Sequence, residues 1–172
     1  PAHWEMGLLS PEDWKGQWIG ADRAFRGDHA PLLRRTVAVG QTPIRARLYI
    51  CGLGMYEASI NGRVVGDQVL DPAQTDYPVR CFYAVHDVTE HLRLGDNALC
   101  VALGDGWFNQ NRVWGENGFS YGEPRLLAQL EIEFADGTRR VVATGSDWRT
   151  QKSAITRNNI YAGESYDARL EI

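Results

Sequence analysis

The clearest alternation of apolar and polar positions runs from Arg125 to Phe134. Leu126, Ala128, Leu130, Ile132 and Phe134 fall on one face, and Gln129, Glu131 and Glu133 on the other. A period of two is the mark of a strand with one face buried. Asp136-Gly137 then turns the chain into Thr138 to Thr144, which predicts a tight hairpin. Leu33 to Val39 and Ile44 to Cys51 are rich in β-branched and apolar residues and are separated by Gly40-Gln41-Thr42-Pro43. Tyr56 to Ile60 runs into Asn61-Gly62 and out through Arg63-Val64-Val65; Asn-Gly tolerates the positive φ of a type I′ turn and predicts a second hairpin. Arg80 to His86 and Asn97 to Leu103 are further strand candidates.

Helical signals are few. Ser10-Pro11-Glu12-Asp13 combines a cap, a first-position proline and acids in the first turn. Asp87-Val88-Thr89-Glu90 has capping-box spacing, with Gly95 as a left-handed stop. Trp4, Trp14 and Trp18 suit an N-terminal arm anchored by indoles. About eight strands, two helical turns and no long amphipathic helix predict an all-β fold, an antiparallel β-sandwich of jelly-roll type. The expected organisation is one domain: an arm over residues 1–30 packing on a sandwich over residues 31–172.

Composition narrows the function classes. A chain of 172 residues buries roughly 70% of its unfolded surface, enough for a core without staples. The net charge of −4 disfavours nucleic acid, which calls for a surplus of Lys and Arg. No stretch reaches the roughly 20 apolar residues of a membrane-spanning helix. Cys51, Cys81 and Cys100 all fall in expected strands and read as small buried hydrophobes rather than nucleophiles. The chain opens at Pro1 without Met and reads on at Glu171-Ile172, as a piece excised from a longer protein would. Its compartment is left between cytoplasm and secretion, the cytoplasm ahead.

Three segments carry candidate chemistry. Gly104 to Gly122 gathers Trp107, Phe108, Trp114, Phe119 and Tyr121 beside amides and carboxylates. Loops longer than about 12–15 residues without structure of their own are usually functional or disordered, and this one is too aromatic for disorder. Its rings suit the C–H face of a sugar and its polar groups the hydroxyls; packing of the rings as a lid on the sandwich is the alternative. Asp67 to Tyr77 holds Asp67, Asp71 and Asp76, a set that suits Ca²⁺ or, equally, Asx turns holding an irregular connection. Glu164, Asp167 and Arg169 suit either a charged interdomain cluster or a solvated surface. No nucleophile elbow, His-Glu-x-x-His or phosphate-cradling loop occurs. His86 and His91 stand five apart, off one helical face, and read as surface or capping residues. The chain does not read as an enzyme by itself.

With these segments in place the sequence resembles the N-terminal accessory domain of bacterial α-L-rhamnosidases. The matching stretches are Trp4-Glu5-Met6-Gly7-Leu8-Leu9 with Trp14 and Trp18-Ile19-Gly20, Ala46-Arg47-Leu48-Tyr49 with Gly52-Leu53-Gly54, and Asn61-Gly62 with Val65-Gly66-Asp67. They continue through Leu70-Asp71-Pro72, Thr75-Asp76-Tyr77, Asp87-Val88-Thr89, Leu103-Gly104-Asp105-Gly106-Trp107 and Gly163-Glu164-x-Tyr166-Asp167-Ala168-Arg169. The ordered set covers nearly the whole chain. The resemblance implies a galactose-binding-like β-sandwich placed before a catalytic (α/α)₆ barrel. It also implies a parent that hydrolyses terminal α-L-rhamnosides with inversion, its catalytic acids lying outside this chain. The resemblance further implies a part in substrate recognition, since some related sandwiches bind rhamnose with a Ca²⁺ ion. The positions carried over are Asp71, Asp76, Asp105, Trp107 and Trp114, joined by Tyr121 from the aromatic loop. Asp105 stands where the family often has Asn, and Phe108 where it often has Tyr. The expected function is non-catalytic recognition of rhamnose-containing glycosides, partnered by the catalytic domain of the same chain. The alternative is a purely structural domain supporting the barrel.

Overall fold

The computed structural model describes residues 4–110 and 118–171. Thirteen strands are present among them: β1 (Pro31–Val39), β2 (Pro43–Leu53), β3 (Met55–Ile60), β4 (Arg63–Val64), β5 (Ala84–Asp87), β6 (Gly95–Gly104), β7 (Asn109–Gln110), β8 (Phe119–Ser120), β9 (Arg125–Phe134), β10 (Arg139–Ala143), β11 (Arg149–Lys152), β12 (Ile155–Asn159) and β13 (Gly163–Tyr166). One α-helical turn, α1 (Arg23–Arg26), and 3₁₀ turns at Pro11–Asp13, Thr89–His91 and Ala168–Leu170 complete the elements. Every strand pairing is antiparallel. A five-stranded sheet runs β11-β1-β6-β3-β4 and a four-stranded sheet β10-β9-β2-β5, with two small hairpins, β12-β13 and β7-β8.

The core lies between the two larger sheets. Leu33 and Val37 of β1 and Leu99, Val101 and Leu103 of β6 share one buried cluster with Leu48 and Ile50 of β2 and Leu126, Leu130 and Ile132 of β9. Each such side chain contributes about 1.5–3 kcal/mol by leaving water. This is the β-sandwich that the alternation of β9 announces. The two expected hairpins form as expected, with φ of 54° and 79° at Asn61 and Gly62, and 82° at Gly137.

Several elements differ from the sequence reading. The strands outnumber the expected eight because β7, β8 and β11 to β13 are too short or too polar to show a period. The candidate over Arg80 to His86 yields only β5, since the residues before Ala84 take no ladder partner in β2. Asp87 Oδ1 accepts both the N–H and the O–H of Thr89, so an Asx turn replaces the capping box. Gly95, at φ 83°, opens β6 instead of stopping a helix. The helical turn α1, flanked by Asp22 at its N-cap and by Gly27 at φ 61°, is not among the expected elements. In the arm, Ser10 stands at the expected cap position and its N–H donates to Asp13 Oδ2 at 2.9 Å, but the indoles divide. Trp14 packs edge-on against Tyr83 at 5.5 Å, whereas Trp4 is 88% and Trp18 42% exposed.

Backbone polarity, more than indole burial, holds the arm. Gln17 N–H donates to Thr144 O at 2.8 Å, and Ile19 and Leu126 exchange both backbone bonds. Gln129, assigned by alternation to the solvent face, is buried because the arm crosses it. Its Oε1 accepts Lys15 N–H at 2.6 Å and its Nε2 donates to Asp13 O. No helix among the described residues is long and apolar enough to cross a membrane.

Candidate functional site

β3 and β6 run side by side in the register Met55↔Gly104, Tyr56↔Leu103, Glu57↔Ala102. Beyond their ends the β12-β13 hairpin folds alongside, and the space between holds a cleft of about 470 Å³. Met55, Ala102 and Ile155 supply apolar surface; Glu57, Asn158 and Glu164 supply polar groups. This mixture of apolar floor and a few polar side chains is the usual make-up of a small-molecule site.

Asn158 is the central polar group. Its Oδ1 accepts the backbone N–H of Asp105 at 2.6 Å. That donor needs an oxygen, so the amide orientation is fixed. Nδ2 is then left buried with no hydrogen-bond partner. An unpaired buried donor costs about 1–3 kcal/mol, which a ligand acceptor would recover. Gly104 permits this approach: a Cβ there would lie 3.2 Å from Asn158 Oδ1. Asn159 Oδ1 accepts the N–H groups of Tyr161 and Ala162 and so shapes the hairpin turn. Tyr161 in turn stands edge-on to Trp107, ring centroids 5.6 Å apart.

Beneath Asp105 lies a buried ion network. Arg26, 1% exposed, donates through Nη2 to Asp105 Oδ1 at 3.0 Å and through Nε to Glu123 Oε2 at 2.9 Å. Asn109 Nδ2 donates to the same Asp105 oxygen, and Ser120 Oγ donates to Asn109 Oδ1. Burial pushes the Asp105 carboxyl above the usual carboxylate range, outweighing the opposing pull of Arg26. The helical turn α1 is thereby tied through one guanidinium to Asp105, whose backbone N–H holds the cleft residue Asn158.

The sequence-derived site residues are distributed over two places. Asp105 is tied to the cleft through Asn158, while Trp107 packs on Tyr161, the hairpin residue that follows the cleft-lining Ile160. Asp71 reaches the cleft indirectly: its carboxylate accepts the Tyr56 phenol, and Tyr56 lines the cleft. Burial, followed by that bond to Asp71, raises the phenol's pKa. Tyr121 belongs to a second aromatic cluster with Tyr77, Phe108 and Phe119; Asp76, beside Tyr77 in sequence, is exposed. Trp114 lies outside the described residues.

The segment Gly104 to Gly122 is not the unstructured loop expected, since β7 and β8 pair within it and Phe108, Asn109 and Gln110 are buried. Asp67, Asp71 and Asp76 do not converge: among the described residues no three His, Cys, Asp or Glu side chains gather to hold a metal. Asp167 caps the 3₁₀ turn at Ala168–Leu170 and pairs with Arg169, while Glu164 sits apart on β13, opposite Asn158.

His86 is buried rather than superficial, with Nε2 3.4 Å from the Tyr56 hydroxyl; burial lowers its pKa, partly offset by Asp71 and Asp67. Cys81 lies outside any strand and only half-buried. A bond from the Cys51 thiol brings its own pKa down to about 7.

The sequence reading missed Asn158, Glu57, Tyr161 and Arg26. Asn158 and Asp105 are 53 residues apart, and Arg26 and Glu123 are 97 apart. Only the Asn158-Asn159 pair ahead of Gly163, a turn signal, marks this hairpin in the sequence.

Residues 41–172 match the profile of the alpha-L-rhamnosidase N-terminal domain. The chain belongs to that family. An alpha-L-rhamnosidase of Formosa agariphila is 34% identical over all of this chain and 21% of its own length. The alpha-L-rhamnosidase of Aspergillus terreus superposes with a TM-score of 0.89 at 38% identity, covering 97% of this chain and 20% of that one. The Streptomyces avermitilis alpha-L-rhamnosidase, solved in complex with L-rhamnose, gives a TM-score of 0.77 at 41% identity over 83% of this chain and 14% of that one. The chain thus spans about a fifth or less of these relatives.

Asp105 is matched by the buried Arg26. Phe108 is 8% exposed and stacks on Tyr121 at 5.7 Å, so its ring is occupied by packing.

Proposed function

We propose that this chain is a non-catalytic accessory domain of an α-L-rhamnosidase and that it assists recognition of rhamnose-containing glycosides at the cleft beside β12-β13. The observation that supports this is the unpaired Asn158 Nδ2 in a cleft whose two carboxylates, Glu57 and Glu164, accept hydrogen bonds. A sugar hydroxyl both accepts and donates, and so suits this set; the apolar floor suits its C–H face. In this reading Asp105 and Trp107 act by positioning Asn158 and Tyr161, and Asp71 by holding Tyr56. The glycosidic bond is cut elsewhere in the parent, by acids that this chain does not carry.

Titration with L-rhamnose, with and without Ca²⁺, tests the proposal by amide and side-chain NMR. The Asn158 side-chain amide and the Trp107 indole should shift with a Kd of about 1 mM, near −4 kcal/mol. Asn158→Ala should remove the response. Unmoved signals at saturating sugar would refute the reading.

A second reading has its own support. Val69, Leu70, Val79, Phe82 and Val85 are exposed along the connection into β5, the edge strand of the four-stranded sheet. Exposed apolar surface at a sheet edge suits a packing partner, here the remainder of the parent chain. If that contact is the domain's whole role, its deletion from the parent lowers the parent's melting temperature and the sugar titration is silent.

A further inference from the structure

Arg34 of β1 and Arg149 of β11 lie directly opposite in the antiparallel ladder. Like charges facing each other across a strand pair are destabilising. Among the described residues neither has an ion-pair partner, and both are exposed. The acid nearest at hand, Asp147, is already neutralised: its carboxylate pairs with Arg35 at 2.6 Å, and Arg35 also donates to Ala143 O. Arg34, Arg35, Thr36, Asp147 and Arg149 surround a hollow of about 410 Å³. Two unneutralised guanidiniums therefore face one space, on a chain whose net charge is −4.

The register connects this hollow to the cleft. Arg34 pairs with Cys100, Leu32 pairs with Ala102, and Glu57 pairs with Ala102 from the other side. Paired residues point to the same face and alternate residues share it. Arg149, Arg34, Cys100, Ala102 and Glu57 thus all stand on the outer face of the five-stranded sheet. Arg34 lies about 7 Å along β1 from Leu32, and Leu32 is the neighbour of the cleft-lining Ala102.

We propose that Arg34 and Arg149 form an oxyanion-binding site for the carboxylate or sulfate group of an acidic saccharide whose ring lies toward the cleft. A planar guanidinium fork matches both groups, and an anion between the two arginines turns a repulsive pair into an attractive one. The saccharide part rests on the cleft reading; the oxyanion part does not.

The test is an NMR titration of the 172-residue chain at constant ionic strength, with sodium chloride as reference and sodium sulfate, sodium acetate and sodium D-glucuronate as probes. Sulfate and glucuronate should each shift the Arg34 and Arg149 Nε–H signals and the Cys100 amide. Both should bind about tenfold more weakly to Arg34→Gln or Arg149→Gln. Both positions are exposed, so an unchanged amide spectrum elsewhere confirms that the variants fold. In chloride, Arg149→Gln should melt higher than the parent sequence, the repulsion being gone, and sulfate should raise the parent's Tm by more than the variant's. Responses no larger than chloride's, or variants that respond like the parent, overturn the site. Glucuronate that binds no better than acetate and leaves the Asn158 side chain unmoved overturns the saccharide part and leaves the oxyanion site standing.

Discussion

At the residue scale, the Arg26 network decides how the cleft is built. A guanidinium 1% exposed between Asp105 and Glu123 stays in place only while both carboxylates meet it. Arg26→Ala should therefore cost about 3–5 kcal/mol in urea unfolding, because it strands two partly buried carboxylates. Asp105 also gives the fold a pH signature. Its carboxyl is raised by burial, so its contribution to stability is full below the ordinary carboxylate range and is lost as pH climbs through the raised value. Against Asp105→Asn, which keeps an acceptor but does not titrate, the parent sequence should lose relative stability across that window and then level off. Thermal melts at stepped pH measure the difference; parallel curves would contradict the assignment. No sequence pattern singles out Arg26 from Arg23, the other arginine of the same helical turn. The burial of Arg26 follows from where the chain returns at Glu123.

At the element scale, strands with one face in water show their alternation in the sequence, whereas a position covered by the arm does not. β9 shows its alternation because Leu126, Leu130 and Ile132 face the core while Glu131 and Glu133 stay partly exposed. Gln129 breaks the pattern, since the arm supplies it with Lys15 and Asp13 as backbone partners. Gln129→Ala would leave the Lys15 N–H without its acceptor, at a cost of about 1–3 kcal/mol. Faster hydrogen exchange should appear at Lys15, and at Gln17 next to it on the arm, while β2 and β6 keep their protection. Uniform acceleration across the sandwich would show instead that the residue acts on the core. The β12-β13 hairpin, which walls the cleft, was invisible for a different reason: Ile155–Asn159 and Gly163–Tyr166 carry too few apolar residues to show a period of two.

At the scale of the whole molecule, the chain presents two unlike outer surfaces. The five-stranded sheet carries the cleft and the arginine hollow, whereas the edge of the four-stranded sheet is apolar around Val79, Phe82 and Val85. An apolar edge drives association in a free chain. Phe82→Lys should reduce concentration-dependent self-association in sedimentation velocity while changing stability by no more than about 0.5 kcal/mol, as exposed substitutions do. An unchanged sedimentation profile would place the association elsewhere. The amino-acid sequence by itself determined the all-β class, the two tight hairpins and the family, because period-two burial, Asn-Gly and Asp-Gly turns and an ordered set of short motifs are local and survive in one dimension. It also marked Asp105 and Trp107. Only the tertiary structure decided what those residues touch, since their partners, Asn158, Arg26 and Tyr161, come from segments 53 to 79 residues away, or from a hairpin with no periodic signal. A buried donor left unpaired and two arginines set opposite each other depend on register and on which chain segments return to the same place, and neither is written in any local pattern.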